Sequence, residues 1–241
     1  MNPTRRLFRN ITLCCLLTAQ LWSVVSAEVQ LTAFQANYKF YYGKLKVGRG
    51  QINLSQSGDT WHWLLTTRPT GLLSLVTRKE PYSETFFTRQ DGKIKIQNLT
   101  IADKGEGDKQ LETALFDWKS KQVDTLRKGQ RNMQPLSGEV YDYLTIHLLS
   151  AKMQEQGLQQ ASVDFIYKGR LVKAALKRVE NTRLEINKTE IDVTVFEHSI
   201  EGSSTRTTYY YHPDAHYLPM KIKTVKPGKT STMMLFQSVS Q

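Results

Sequence analysis

His212 and His216 stand four residues apart with Asp214 between them, the pattern in this chain that most resembles a metal site. Histidines at positions i and i+4 converge on one ion when they lie on a helix. Here Pro213 and the neighbouring strand patterns indicate a turn, where that spacing has no fixed geometry. A turn in which the Asp214 carboxylate accepts backbone hydrogen bonds explains the pattern better. We therefore expect no metal ion and no cofactor.

The other groups with catalytic potential do not form a recognisable set. His147 stands among apolar residues of a predicted helix, and Asp142 lies five positions earlier, so the two do not share a helical face. Ser74 lacks the glycine pair of a nucleophile elbow. The chain has neither a P-loop nor a dinucleotide fingerprint. The sequence thus favours a non-enzymatic protein, and a hydrolase would need His, Asp and Ser residues that converge only in the fold.

The first 27 residues have the three parts of a secretory signal peptide. Arginines at positions 5, 6 and 9 precede an apolar run from Ile11 to Val25, and Val25-Ser26-Ala27 supplies small residues for cleavage. We expect cleavage after Ala27, which leaves residues 28–241 as one periplasmic domain. Polar residues interrupt the apolar run, whereas a membrane span needs about 20 mostly apolar residues. An uncleaved anchor is the alternative.

Charge and cysteine content restrict the partners. Cys14 and Cys15 both lie in the predicted leader, which excludes disulfides and thiolate metal sites after cleavage. The formal charge is +11, and removal of the three leader arginines leaves +8. Such a surface attracts anionic headgroups or polysaccharides, although scattered cations are also typical of a solvated surface without a partner. No nucleic-acid motif is present, so we expect no nucleic-acid partner.

Alternation of apolar and polar residues with a period of two dominates the rest of the chain and predicts strands. The first strand carries Phe34, Ala36 and Tyr38 on one face, and Gly43, Gly48 and Gly50 mark a turn or bulge after it. Further strands are predicted at Ser83–Arg89, Lys93–Ile101, Gln110–Trp118, Gln122–Arg127, Ser162–Tyr167, Leu171–Val179, Arg183–Ile186, Glu190–His198, Thr205–Tyr211, Leu218–Val225 and Thr230–Ser238. This pattern predicts a mostly β protein, an antiparallel meander that forms a closed or half-open β-barrel.

Two segments depart from that alternation. Residues from about 138 to 156 carry apolar side chains at helical spacing, with Ser137 as a possible cap and Gly157 as a stop signal. We expect this principal helix to cover the mouth or open edge of the barrel. The second segment, at about 70–77, is short and apolar and forms a helix or a loop.

Aromatic residues on the predicted strands suggest a ligand site inside the barrel. We predict Tyr38, Phe40, Trp61 and Trp63 as ligand-binding residues. The alternative is an interior that large side chains fill completely, as small barrels require. Periodicity alone does not distinguish these two cases.

The segment at 70–77 is the second predicted site. Leu72, Leu73 and Leu75 would stand at the barrel entrance as a lid, or would dip into lipid headgroups. Arg78 and Lys79 would then contact the membrane or an anion. A short helix that plugs one barrel end is the alternative.

Several short motifs, in order along the chain, resemble those of an exported bacterial family known as domain of unknown function 3108. They are Tyr38–Tyr42 running into Gly43, Thr70-Gly71-Leu72, Tyr82–Phe86 before Asp91-Gly92, Phe116-Asp117-Trp118, Tyr141–Leu144 and Tyr217–Ile222 after Asp214. The resemblance implies an exported, barrel-like β-fold and assigns no catalytic residues. In architecture the chain is also similar to envelope proteins whose half-barrel and helical lid hold lipid or lipoprotein acyl chains.

Two functional hypotheses follow. The favoured one is a periplasmic binding or chaperone-like module for an apolar or acyl-bearing component of the cell envelope, in peripheral contact with the membrane. The other is an envelope assembly or interaction protein with a solid core and no ligand cavity.

Overall fold

The computed structural model describes residues 30–71, 73–77, 79–90, 92–104, 109–215 and 217–240, and only the backbone of 109–111. The predicted leader, Leu72, Arg78 and His216 lie outside these residues. The strands in the described part are β1 (Phe34–Tyr42), β2 (Leu45–Ser57), β3 (Thr60–Pro69), β4 (Pro81–Gln90), β5 (Lys93–Asp103), β6 (Lys109–Asp117), β7 (Gln122–Arg127), β8 (Gln130–Pro135), β9 (Val140–Tyr141), β10 (Gln160–Ile166), β11 (Leu171–Ile186), β12 (Thr189–Ile200), β13 (Arg206–Tyr211), β14 (Pro219–Val225) and β15 (Thr232–Ser240). The helices there are α1 (Leu73–Val76) and α2 (Ile146–Glu155).

These strands form one sheet in the order β8-β7-β6-β5-β4-β3-β2-β1-β15-β14-β13-β12-β11-β10-β9. Every neighbouring pair is antiparallel except β9 with β10. The pairing of β1 with β15 joins the two halves of the meander. Within the described residues no backbone ladder joins β8 to β9, so the sheet is not closed. The structure therefore confirms the mostly β, antiparallel meander in its half-open form.

Alternation located most strands correctly because one face of each is buried. In β1, Phe34, Ala36 and Tyr38 are all buried, as predicted. The division of residues 171–186 into two strands was wrong, since a bulge in the pairing with β12 carries one ladder through the polar middle of β11. Strands β8 and β9 were not predicted. The first is exposed along nearly its whole length and the second has only two residues, so neither shows a pattern.

The principal helix begins later than the predicted residue 138. Val140 and Tyr141 pair with β10 instead, and α2 begins at Ile146. The Asp142 carboxylate accepts hydrogen bonds from the backbone N–H groups of Leu144 and Thr145, at 2.8 and 2.7 Å, and the Thr145 hydroxyl accepts one from the Asp142 N–H at 2.9 Å. This reciprocal arrangement is that of a capping box.

The residues expected at the two ends of the helix behave differently. The predicted cap, Ser137, donates its hydroxyl hydrogen bond to the Asp164 carboxylate at 2.6 Å, so its role as a helix cap was wrong. Gly157 has a φ of 65° directly after the last turn and ends the helix as predicted.

The sheet curls around α2. The His147 imidazole on α2 lies close to two distant strands. Its ring centroid is 5.7 Å from that of Trp63 on β3 and 5.1 Å from that of Tyr209 on β13. Strands β2, β1, β15 and β14 separate β3 from β13 in the sheet, so a single side chain reaches both only because the sheet is strongly curved. The buried side chains of α2 thereby fill the concave side.

The two ends of the sheet overlap and are joined by side chains. The Gln134 amide on β8 accepts a hydrogen bond from the Leu171 N–H at 2.8 Å and donates one to the Leu171 carbonyl at 3.4 Å. The Glu139 carboxylate, next to β9, accepts one from the Ile94 N–H on β5 at 2.9 Å. A second apolar cluster lies between the overlapping ends, formed by Leu99, Ala114, Val123, Leu136, Val140 and Ile166.

We predict that Gly48→Ala destabilises the fold by about 1–3 kcal/mol. A Cβ at Gly48 would lie 2.7 Å from the Arg68 carbonyl oxygen, which belongs to the backbone of β3 and cannot rotate away. Urea unfolding at neutral pH measures the change. Gly138→Ala is the control, because a Cβ there meets no heavy atom within 4 Å. Equal stability of the two variants would contradict the close strand approach at Gly48.

Candidate functional site

A cavity of about 390 Å³ lies where the two ends of the sheet overlap. It separates the main core around α2 from the second apolar cluster, since Leu144 belongs to the first and Leu99 and Ile166 belong to the second. Volumes of about 300–1,000 Å³ are typical of ligand pockets. The candidate site is therefore a gap between two packed cores rather than the centre of the barrel.

One wall of the cavity is a single row of residues across four strands. Ser83 on β4 pairs with Ile101 on β5, Ile101 pairs with Glu112 on β6, and Glu112 pairs with Arg127 on β7. All four line the cavity. Cross-strand partners point to the same face of a sheet, so the ladder register brings these four side chains together.

The opposite wall is apolar. Tyr143 and Leu144, in the turn that leads into α2, face Ile166 at the end of β10 and the inner face of β5. Leu144 and Ile166 are each 2 % exposed, and Tyr143 is 39 % exposed. The Tyr143 ring packs edge-on against Phe165 with centroids 5.2 Å apart. This wall is thus mostly hydrocarbon, and the Tyr143 side chain is the part of it that solvent reaches most.

Asp142 lines the cavity, but both oxygens of its carboxylate accept hydrogen bonds from neighbouring residues of the fold. Burial raises the pKa of its carboxyl group, although hydrogen bonds from Thr145, Thr85 and Leu144 act in the opposite direction. Its Oδ1 accepts three hydrogen bonds from the capping turn, and its Oδ2 accepts one from the Thr85 hydroxyl on β4. This carboxylate fixes the start of α2 against the sheet, which is a structural role.

Positive charge lies on one side of the cavity. Arg127, Lys128 and Lys168 line it there, and the exposure of both lysines marks the side that meets solvent. Arg127 is held by the buried Glu112, with Nε 3.2 Å from Oε2. Burial raises the pKa of Glu112, and the Gly169 N–H and Arg127 oppose that shift. An apolar space with a cationic mouth suits a molecule that has an apolar part and an anionic part.

Two buried histidines lie behind the Tyr143 wall. His147 Nδ1 is 2.6 Å from the Tyr211 hydroxyl, and His198 Nδ1 is 3.3 Å from the Tyr209 hydroxyl. Burial lowers the pKa of His147 to about 3, with a contribution from His198, and burial lowers that of His198 to about 4. In the described residues, the side-chain hydrogen-bond partners of these two imidazoles are thus tyrosine hydroxyls.

The predicted aromatic site residues lie in the main core and not at the cavity. Tyr38, Trp61 and Trp63 are buried, and the Tyr38 hydroxyl donates to the Pro219 carbonyl at 2.9 Å. Phe40 is half-buried against the same core. All four residues belong to or pack against the main core, and Trp63 contacts His147 of α2. Their role in ligand binding stays a prediction.

The described apolar side chains of the predicted entrance segment are exposed to solvent. Within its described residues, Leu75 is 80 % exposed, Val76 is 79 % exposed and Leu73 is 38 % exposed. The segment connects the end of β3 to the start of β4, two residues before Ser83, so it lies at the same end of the sheet as the cavity row. Lys79 follows it, while Leu72 and Arg78 are outside the described residues.

The turn at residues 212–215 contains His212 and Asp214. The Asp214 N–H donates to His212 Nδ1 at 3.2 Å, and the Asp214 side chain is 90 % exposed. His216 lies outside the described residues. Among the residues that the structure describes, no group of three His, Cys, Asp or Glu side chains could hold a metal ion.

Sequence reasoning missed the cavity. Its lining comes from β4, β5, β6, β7, the turn before α2 and the β10–β11 hairpin, which are far apart in sequence. The sequence contains only a weak signal for this site. It has a Lys-Gly pair at 128–129 and another at 168–169, each at a hairpin turn.

Comparison with known proteins agrees with this architecture. Residues 37–235 match the family described as "Protein of unknown function (DUF3108)". The chain belongs to this family. The match confirms the resemblance seen in the ordered motifs. No curated protein matches the chain.

Among solved structures, the chain is similar to a β-barrel-like protein of domain of unknown function DUF1849 from Brucella abortus. The TM-score is 0.56 at 13% identity, over 88% of this chain and 98% of the other. This likeness shows the fold alone. A Bacteroides fragilis protein with a YmcC-like fold overlaps at a TM-score of 0.34 and 5% identity, over 88% of this chain and 97% of the other, and carries no argument.

No helix in the described residues of this DUF3108 member is long and apolar enough to span a membrane.

We predict that acid destabilises this DUF3108 protein through its two buried histidines. An unfolded histidine binds a proton near pH 6.5, whereas His147 and His198 do so in the fold only near pH 3 and 4. Stability is therefore lost as the pH falls below about 6.5, and at pH 5 each histidine costs about 2 kcal/mol. Urea unfolding at pH 7.5 and pH 5 measures this loss.

His198→Phe tests that assignment. The variant keeps an aromatic ring beside Tyr209 and removes one titrating group, so its loss between the two pH values should be smaller by about 2 kcal/mol. Asp142 and Glu112 titrate in both proteins, and their effects cancel in the comparison. An unchanged pH dependence would show that His198 is not held neutral by burial.

Proposed function

We propose that this protein is an exported, non-enzymatic binding module that holds one apolar chain of a cell-envelope component in the cavity between its two cores. The observation that carries the proposal is the combination of one apolar wall, formed by Tyr143, Leu144 and Ile166, with a mouth formed by Arg127, Lys128 and Lys168. A lipid or the acyl chain of a lipoprotein has the matching chemistry.

The size of the cavity supports a single chain. Its 390 Å³ is near the lower end of the range for ligand pockets. Transfer of a methylene group from water to an apolar space stabilises by about 0.8 kcal/mol, so even a partly inserted chain gains several kcal/mol. A larger ligand would require the sheet ends to separate.

The exposed segment from Leu73 to Val76 supports contact with a lipid surface. Isolated exposed apolar residues are common, but here they project together from one connection beside Lys79. Apolar side chains of such a segment enter the headgroup layer while cations stay near phosphate. Since this end of the sheet also carries the cavity row, we propose that the segment guides the chain toward the cavity.

A second function has one observation in its favour. The centre of the barrel is filled by α2 and by aromatic side chains such as Trp63 and Tyr209, as expected for an envelope assembly protein with a solid core. In that case the exposed Leu75 and Val76 would contact a protein partner. Leu75→Asp separates the two functions, because it would remove partner binding in the second and leave the affinity of the cavity for a soluble ligand unchanged in the first.

Location outside the cytoplasm is part of the proposal. It is supported by the charged, apolar and small-residue parts of the leader. Expression of the full chain in its native bacterium should yield a periplasmic protein that begins at Glu28, as determined by amino-terminal sequencing of the purified protein. Recovery of intact Met1 in the cytoplasm would contradict export.

The central test is to fill the cavity. Ile101→Trp enlarges a half-buried wall residue, and we expect affinity for a fluorescent fatty acid to fall at least tenfold. Leu184→Trp is the control, since Leu184 is half-buried on β11 against the main core and is not a cavity residue. Thermal unfolding of both variants shows whether the fold is kept.

Native mass spectrometry of protein purified from its own periplasm gives a second measurement. The wild type should carry a bound species with the mass of an acyl compound, and Ile101→Trp should not. Equal fatty-acid binding by wild type and Ile101→Trp, together with an empty wild-type protein, would contradict the proposed function.

A further inference from the structure

A basic cleft of about 1,060 Å³ adjoins the apolar cavity. Arg127, Lys128, Tyr167 and Lys168 line both spaces, so the cleft and the cavity are immediate neighbours. The cleft runs between the β7–β8 turn, the β10–β11 turn and the β12–β13 turn.

Two of these turns are built alike. Lys128 and Gly129 have φ values of 51° and 77°, and Lys168 and Gly169 have φ values of 52° and 70°. Two successive left-handed residues are the signature of a type I′ hairpin turn. Lysine rarely adopts this conformation, and Asn or Gly would form such a turn with less strain. Each turn therefore places a lysine at the cleft where turn chemistry alone would favour another residue.

The two turns are fixed to each other. The Thr125 hydroxyl on β7 donates to the Gly169 carbonyl at 2.7 Å, and the Gly169 N–H donates to the Glu112 carboxylate at 2.8 Å. A Cβ at Gly169 would lie 2.9 Å from the Arg127 Cβ, so the hairpin packs directly on that side chain. The lysines thus stand on a rigid frame, and little ordering is needed before a ligand binds.

The charge of the cleft is unbalanced. Arg127 is paired with Glu112, and Arg131 with Asp124. Within the described part of the chain, Lys128, Lys168 and Arg170 have no carboxylate partner, and Glu201 is the acidic residue of the lining. The Lys168 ammonium lies over the Tyr167 ring, 4.6 Å from its centroid, which leaves its charge unneutralised. The positive charge of three cations therefore remains for an anionic ligand.

The pKa of Tyr167 reflects the excess positive charge of the cleft. Burial raises the pKa of Tyr167. Hydrogen bonds with Lys168 and Ser203 and the charges of Lys168 and Lys226 together lower it by more than burial raises it, so the pKa lies below its ordinary value. Positive potential favours the charged form of an acid.

We propose that this cleft binds the phosphate monoester of a single-chain amphiphile whose acyl chain occupies the cavity. The inference rests on the proposed function and adds the chemistry of the head group. The shared residues, with Arg127 held in place by Glu112, set the point where chain and head group meet.

A phosphate monoester fits the cleft better than a carboxylate does. It carries a charge of about −1.5 to −2 near neutral pH and has three acceptor oxygens, which match three available cations. Guanidinium groups bind phosphate oxygens in pairs, and ammonium groups act as point charges on them. The cleft also has more than twice the volume of the cavity, which leaves room for a polar group larger than a carboxylate.

The experiment compares two lipids that differ only in the phosphate, lysophosphatidic acid and a monoacylglycerol of the same short acyl chain. Binding of each to the mature protein is measured by calorimetry. We expect lysophosphatidic acid to bind at least tenfold more tightly, a fatty acid of equal length to lie between them, and added salt to reduce the difference.

Two sets of substitutions assign the effect. Lys128→Gln, Lys168→Gln and Arg170→Gln together should lower the affinity for lysophosphatidic acid at least tenfold and so abolish its preference over monoacylglycerol. The control combines Lys177→Gln, Arg183→Gln and Lys223→Gln, which remove the same charge from exposed positions on β11 and β14. It should keep the preference, which separates the cleft from overall charge.

The possible failures are distinguishable. Equal binding of the two lipids, with no effect of the cleft substitutions, would overturn the head-group inference and leave the proposed function standing. Binding of glycerol 3-phosphate but of neither lipid would overturn both, because the cleft would then be a phosphate site without a chain. Loss of both lipids in Ile101→Trp, with glycerol 3-phosphate binding retained, supports the two-part site.

Discussion

The fold depends on covering the concave face of one long sheet. Alternation places large aromatic side chains such as Tyr38, Trp63 and Tyr209 on that face, and hydrocarbon left in water would cost about 25 cal/mol for each Å². Because α2 lies inside the curve, His147 contacts strands from both halves of the meander. The buried Asp142, with its hydrogen bonds from Thr145 and Thr85, sets where that helix starts. The curvature of the sheet and the position of the helix therefore depend on each other.

The cavity follows from how the sheet ends. Strands β8 and β9 do not share a ladder, and the overlapping ends are joined by side chains, including Gln134 to Leu171 and Glu139 to Ile94. Side-chain bridges hold strands farther apart than backbone ladders do. The second apolar cluster fills part of this seam, and the remaining space is the candidate site. The same overlap brings the β7–β8 and β10–β11 turns together and so creates the basic cleft.

Much of the fold could be predicted because its signals are local. A buried face gives a period of two, as in β1, and Gly157 ends α2 because glycine accepts a positive φ. Predictions failed where context overrides local pattern. Val140 and Tyr141 have helical spacing but pair with β10, and the polar middle of β11 is carried by its ladder with β12. The candidate site was not predictable, since its wall joins Ser83, Ile101, Glu112 and Arg127 through register alone.

The amino-acid sequence is sufficient to predict the β meander, most of its turns, one principal helix and the family, but not that the helix lies inside the curve of the sheet. These follow from residue type and from spacing along the chain. Only the folded chain shows that Trp63 contacts α2, that Leu75 is exposed between β3 and β4, and that an apolar gap lies beside the lysines of two hairpin turns. The physical reason is that a strand pattern specifies which side chains share a face, whereas the space left between two faces depends on curvature and closure, which all strands set together.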